Sequence, residues 1–190
     1  MFDVPLLIAG QACPAADGRT FERRSPFTNE LVSRVAAATL EDADAAVAAA
    51  QAAFPAWAAL APGERRLRLL KAAELMEARS AEFMSAASET GAAANWYGFN
   101  VQLAAGMLRE AAAMTTQILG EVIPSNVPGS FAMGLRQPCG VVLGIAPWNA
   151  PVILGVRALA MPLACGNTVV LKASELSPFT HRLIGQVLQD

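Results

Sequence analysis

The chain has 190 residues, with 14 Lys and Arg against 16 Asp and Glu, a net charge of −2 and 54% apolar residues. A balance this close to neutral excludes a basic nucleic-acid surface or an electrostatic hold on anionic membranes. The length suits one domain and part of another at a prior of about 150 residues each.

The first third reads as scaffold. Leu6–Ile8, Thr20–Glu22 and Leu31–Ala36 have the apolar and β-branched character of short strands, separated by Gly10, Gly18 and Pro26. Thr39 with Asp42 has the spacing of a capping box. The helix it opens is expected to bury Val47, Ala50, Phe54 and Trp57 on one face. Pro62 suits the first turn of a second helix with Leu69, Ala72, Ala73, Met76, Phe83 and Ala87 inside and Gly91 as its stop. Asn95 is expected to cap a third helix, with Phe99, Leu103 and Met107 aligned along it. Trp96 and Tyr97, at its start, have the composition of packing residues. Glu121–Arg136, with Pro124, Pro128 and Gly129, reads as two strands around a turn.

The run Gly140–Glu175 is the most informative. No charge stands between Arg136 and Arg157, a span long enough to raise a membrane helix. Pro138, Gly140, Gly144, Pro147, Asn149 and Pro151 break it up. Gly140–Ala146 reads instead as a strand covered on both faces, Pro147–Pro151 as a turn, and Pro151–Leu163 as a helix stopped by Gly166 and Asn167. Thr168–Lys172 is a second strand, and Ser177-Pro178 opens another helix. Strand–helix–strand crossovers of this kind build parallel sheets, and ligands bind beyond the carboxyl ends of such strands. The amide of Asn149, the amine of Lys172 and the carboxylate of Glu175 are thereby expected on one edge beside Trp148. A carboxylate there suits ribose hydroxyls and repels a 2′-phosphate, which favours NAD over NADP.

Gly-Ile-Ala-Pro-Trp-Asn-Ala-Pro (144–151) with Val-Val-Leu-Lys-Ala-Ser-Glu (169–175) resembles the aldehyde dehydrogenase superfamily. The resemblance extends over the whole chain. Phe21-Glu22-Arg23, Gly98-Phe99-Asn100-Val101, Leu135-Arg136-Gln137-Pro138 and Cys165-Gly166-Asn167-Thr168 point to its aromatic-aldehyde branch, that of the salicylaldehyde dehydrogenases. The implied fold is α/β: the N-terminal part of the aldehyde dehydrogenase fold, a Rossmann-like parallel sheet with helices on both faces. The resemblance divides the chain into a partial NAD-binding domain (1–119 and 138–190) and a β-hairpin oligomerisation arm (120–137), with the catalytic domain outside it.

The implied activity is oxidation of an aromatic aldehyde, salicylaldehyde- or benzaldehyde-like, to its acid through a thiohemiacetal. Asn149 matches the oxyanion-hole amide. Ile145, Ala146, Pro147 and Trp148 match positions along the cofactor. Lys172, Ser174 and Glu175 match the ribose-binding segment. The family often has an aromatic residue where this chain has Ala150, which leaves room for a bulky ring. Trp96 is expected to face the substrate channel, and Arg157 to contact a ring substituent. The family's nucleophilic cysteine and general-base glutamate match nothing up to Asp190. Cys13, Cys139 and Cys165 do not match the nucleophile, so the chain alone is expected to be inactive. The complete protein is expected to be a cytoplasmic homodimer or homotetramer.

Other readings stand beside these. Asn149 is also suited to capping the helix after it. Lys172 and Glu175 suit a solvated surface pair. The default for Arg157 is a buried ion pair, and for Cys165 an inert core thiol. The three cysteines lack a Cys-x-x-Cys pair, which suits reduced thiols, and the single His181 has no ligand partners nearby, so no metal is expected. Met1–Ala9 carries Asp3 in place of a basic start, so no signal peptide is expected. The alternative to an enzyme piece is an inactive dinucleotide-binding or subunit-interaction module. A ligand-free, alanine-rich helical protein leaves Pro147–Pro151 and the strand-like runs unexplained.

Overall fold

The computed structural model describes residues 1–190. The chain is α/β, with nine short strands and six helices: five strands, then four helices, a two-stranded hairpin, and last the strand–helix–strand–helix unit expected from the sequence. The N-terminal strands are β1 (Phe2–Val4), β2 (Leu6–Ile8), β3 (Gln11–Cys13), β4 (Thr20–Arg24) and β5 (Leu31–Ala36). One sheet has the order β1-β5-β4, with β1 parallel and β4 antiparallel to β5; β2 and β3 form an antiparallel pair. β1 and β3 were not expected from the sequence, since three residues carry too little periodicity to read.

Helix α1 (Leu40–Ala58) starts at Thr39, whose hydroxyl accepts the Asp42 N–H while Asp42 accepts the Thr39 N–H. The expected box is therefore present. Its expected face is shifted: Ala50, Phe54 and Trp57 turn inward, but Val47 is exposed. Next comes α2 (Pro62–Ala78), with Pro62 in its first turn; it breaks at Arg79 into α3 (Ser80–Ser85) and a 3-10 turn, Ala86–Glu89. The expected single helix to Gly91 is thus three pieces. All six residues of its apolar stripe are nonetheless buried.

Helix α4 (Ala94–Met114) departs most from expectation. Its N-cap is Ala93, with no side-chain cap, so Asn95 plays no such part. Tyr97, Val101, Ala104, Ala105, Leu108, Ala111 and Ala112 are buried, whereas Trp96, Phe99 and Leu103 face outward. Alanines form the inner face because α4 lies close against neighbouring helices, and small side chains permit that approach.

The hairpin strands β6 (Glu121–Ile123) and β7 (Ala132–Gly134) pair antiparallel. Strand β8 (Val141–Ile145), helix α5 (Pro151–Ala164), strand β9 (Thr168–Lys172) and helix α6 (Pro178–Gln189) complete the chain. β8 and β9 are parallel, with Ile145 opposite Lys172. Gly166, at φ +86°, takes the left-handed turn that ends α5. One face of the pair packs on α5: a Cβ at Gly144 would stand 3.0 Å from that of Ala158, and Val169 and Leu171 join the main core. On the other face, Thr168 donates its hydroxyl to the Ala50 carbonyl of α1. That cover does not extend to the strand ends, so the expected burial of both faces of β8 fails at Leu143 and Ile145, which are 63% and 68% exposed. The core runs between α2, α4, α5 and α6. No helix is long and apolar enough to cross a membrane.

Candidate active-site edge

The parallel register of β8 and β9 builds the site. Ala146 donates its N–H to the Lys172 carbonyl at 3.1 Å, extending the ladder one step past β8. Pro147–Ala150 then leave one strand and Ala173–Ser177 leave the other, from the same edge. Adjacent strands are about 4.8 Å apart, so the two expected clusters lie side by side.

Asn149 is exposed, and its side-chain amide makes no hydrogen bond within the chain. The capping reading is not realised: α5 has Ala150 as its N-cap, with no side-chain bond. The amide is thus free to donate outward. The positive end of the α5 dipole lies beside it, favouring negative charge there. Ala146 is buried, while Ile145, Pro147 and Trp148 are exposed along the edge. Lys172 Nζ and Glu175 Oε2 are 3.2 Å apart and both side chains are more than half exposed. The Glu175 backbone N–H and then the Lys172 ammonium hold the Glu175 carboxyl below the usual carboxylate range, so it is an ionised acceptor. Ser174 differs from these two: it is buried, and its Oγ accepts the Leu176 N–H, which shapes the loop from within.

The structure also brings Trp96 to this edge. Its indole N–H donates to the Asn149 carbonyl at 3.3 Å. Trp96 stacks on Phe99 with ring centroids 5.5 Å apart and planes at 22°. An aromatic wall therefore stands beside the Asn149 turn. Phe99, which the sequence aligns with Leu103 and Met107 along the helix, is part of this exposed wall. Its spacing of three from Trp96 on a helix is the one sequence signal that links them. Arg157, two turns into α5, is exposed and forms no salt bridge, so the buried ion-pair reading is not realised.

The three thiols lie elsewhere. Cys139 and Cys165 precede β8 and β9, at the far end of strands that each run five residues, about 16 Å at 3.3 Å per residue. Cys13 belongs to β3. None of them faces Asn149.

This edge offers an amide donor beside a helix N-terminus, a lysine–glutamate pair suited to sugar hydroxyls, and a stacked aromatic wall. The sequence pattern of the aldehyde dehydrogenase family matches residues 13–190. A vanillin dehydrogenase from a Pseudomonas species (strain HR199) is 84% identical over all 190 residues, which span 40% of its length. The crystal structure of a salicylaldehyde dehydrogenase from Pseudomonas putida G7, complexed with salicylaldehyde, superimposes with a TM-score of 0.97 at 46% identity, over 100% of this chain and 39% of that one. An NAD-dependent benzaldehyde dehydrogenase from Corynebacterium glutamicum matches with a TM-score of 0.91 and 32% identity, over 96% of this chain and 40% of that one. The chain thus spans about 40% of the length of these relatives.

Proposed function

The chain belongs to the aldehyde dehydrogenase family, and from that premise we propose that it forms the cofactor side and oxyanion donor of an enzyme oxidising an aromatic aldehyde to its acid with NAD. The carrying observation is the exposed, unpaired amide of Asn149 at the same edge as the Lys172–Glu175 pair. When bound, NAD supplies the hydride acceptor.

The chain's own residues do the following. Glu175, ionised and steadied by Lys172, accepts hydrogen bonds from the adenosine ribose hydroxyls, and Lys172 donates to the same sugar. Ser174 fixes the loop that presents both. Ile145, Ala146, Pro147 and Trp148 form the wall along the cofactor. Asn149 donates its amide to the aldehyde oxygen as negative charge develops there, an interaction whose loss typically costs about 2.7–4 kcal/mol in the transition state. Trp96 borders the ring of the substrate, Ala150 leaves it space, and Arg157 addresses a ring substituent.

Vanillin is the first substrate to assay, given the 84% identity to a vanillin dehydrogenase; salicylaldehyde and benzaldehyde follow. The attacking thiolate is none of Cys13, Cys139 and Cys165, so these 190 residues alone do not turn aldehyde over. The hairpin carries exposed Val122, Ile123, Phe131 and Met133. Its apolar surface suits contact with a second subunit of a homodimer or homotetramer.

The test joins this chain to the remaining part of the vanillin dehydrogenase relative and compares NAD with NADP. The hybrid is expected to prefer NAD, and Glu175→Gln to narrow that preference about tenfold, the scale of one charge-assisted hydrogen bond. Equal use of both cofactors by the unmodified hybrid, with no response to Glu175→Gln, contradicts the assignment of the ribose edge.

A further inference from the structure

His181 is the chain's single histidine, and nothing in the proposed chemistry uses it. It stands in the first turn of α6 and is 4% exposed. Its Nδ1 accepts the backbone N–H of Ser174 at 3.2 Å. Ser174 lies between Lys172 and Glu175 and is itself buried, so that N–H has no water to turn to. An acceptor at Nδ1 requires the neutral ring with its proton on Nε2. Burial favours that form and pushes the imidazole down to about 4.

The opposite edge of the ring rests on α5. A Cβ at Gly155 would stand 3.1 Å from His181 Cδ2 and 3.5 Å from Nε2. Glycine is what lets α5 come this close. One ring thus touches both segments that leave the site: the loop after β9 and the helix that begins two residues after Asn149.

The base on which the ring stands is fixed independently. The buried Glu89 carboxylate accepts the N–H groups of Phe179 and Thr180 at 3.0 and 3.2 Å, and the Ser33 hydroxyl at 2.8 Å. These two N–H groups belong to the first turn of α6, whose own N-cap, Ser177, makes no side-chain cap. A remote carboxylate therefore serves as the cap and ties α6 to β5. Because the helix is held from behind, the imidazole has a fixed position from which to hold the loop.

We propose that His181 is a positioning residue for the ribose edge: its Nδ1, by accepting the Ser174 N–H while the ring packs on Gly155, sets Lys172 and Glu175 in place relative to the Asn149 turn. The inference rests on the reading of Lys172 and Glu175 as ribose-binding groups. His181 touches neither sugar nor aldehyde and acts only through the backbone between them.

The experiment uses the 190-residue chain, with His181→Asn and His181→Leu. Asparagine places Oδ1 near the position of Nδ1 and keeps an acceptor; leucine fills the space without one. Amide hydrogen exchange by NMR is expected to show Ser174 protected in the asparagine variant and about tenfold less protected in the leucine variant, the scale of one hydrogen bond. Val156 and Leu159 in α5 are expected to stay protected in both. Titration with adenosine 5′-monophosphate, followed by the same spectra, is expected to show affinity kept in the asparagine variant and reduced about tenfold in the leucine variant. His181→Ala is a second acceptor-free variant, with the same expectation, should leucine prevent folding. Unchanged Ser174 protection in a folded acceptor-free variant overturns the proposal, as does an asparagine variant no better than leucine. If Ser174 responds as expected but the nucleotide binds no form of the chain, the ribose reading falls and the link from His181 to the loop stands.

Discussion

The two ends of the β8–β9 pair lie five residues apart and are built on opposite terms. At the amino end, polar groups are turned inward and satisfied. Asn167 Oδ1 accepts the N–H groups of Cys139 and Gly140 at 2.7 and 3.1 Å, and its Nδ2 donates to the Pro162 carbonyl. Arg65, buried, donates to the Ala164 carbonyl at 3.1 Å and to those of Ala58 and Leu60, near the C-termini of α5 and α1. A cation there also answers the negative ends of two helix dipoles. At the carboxyl end, Asn149, Lys172 and Glu175 face outward, and the loop after β9 is tied down through its backbone, by the Ser174 N–H to His181 and by Arg23 Nε donating to the Leu176 carbonyl at 3.3 Å. The amino end spends its polar groups on the fold; the carboxyl end leaves them available to a ligand.

That contrast is broken if changes at the amino end leave stability untouched. Arg65→Ala removes a buried cation and strands three carbonyls. It is expected to cost about 4 kcal/mol in urea unfolding of this chain. A loss under about 1 kcal/mol contradicts the view of that end as structural.

The pH dependence of stability sharpens the contrast next. His181 is held neutral: burial outweighs the carbonyls of Pro151 and Ser177, which favour its charged form, and Lys172 adds to the penalty. Its folded value, about 4, lies below the ordinary 6.5, so the folded state binds fewer protons than the unfolded one. This contribution is full above about pH 6.5 and is lost as pH falls toward 4, by up to about 3 kcal/mol at 1.36 kcal/mol per pH unit. Glu89 acts in the opposite sense, since burial raises its carboxyl and favours the folded state on acidification. Comparison with His181→Asn isolates the histidine: the variant is expected to lose less stability than wild type between pH 7 and 4.5, and parallel losses contradict the burial account.

The smallest effect is expected on α4. Phe99→Ser is a large apolar-to-polar change, yet Phe99 is 53% exposed. Unfolding free energy is expected to move by about 0.5 kcal/mol or less. A loss of about 3 kcal/mol, as for a core phenylalanine, contradicts its place on the outer wall.

Much of this architecture was legible in the residues. Pro62, Pro151 and Pro178 mark helix starts because a first turn needs no N–H from them, and Thr39 with Asp42 marks another. Thr168–Lys172 and Leu31–Ala36 are strands at the expected bounds, since β-branched runs between turn residues admit few other readings. The site edge followed from the strand–helix–strand order. What stayed hidden depends on contacts between distant segments. In α4, an alanine face and a large-residue face compete at nearly the same helical period, and tertiary packing chose the alanines. The cap of α6 comes from Glu89, 88 residues before its N-cap, Ser177, and the acceptor for Ser174 from His181; no local pattern announces either. The exposure of Leu143 and Ile145 depends on what lies over the sheet, which strand periodicity does not encode.

The carboxyl end is tested most directly through Asn149. With this chain joined to the remaining part of the vanillin dehydrogenase relative, steady-state vanillin oxidation is measured for wild type and Asn149→Ala, and unfolding of both 190-residue forms is measured alongside. The account predicts kcat lower by about 10²–10³-fold and stability changed by no more than about 0.5 kcal/mol. A kcat within about threefold of wild type, short of the loss of even one ordinary hydrogen bond, contradicts the assignment of Asn149 as the oxyanion donor.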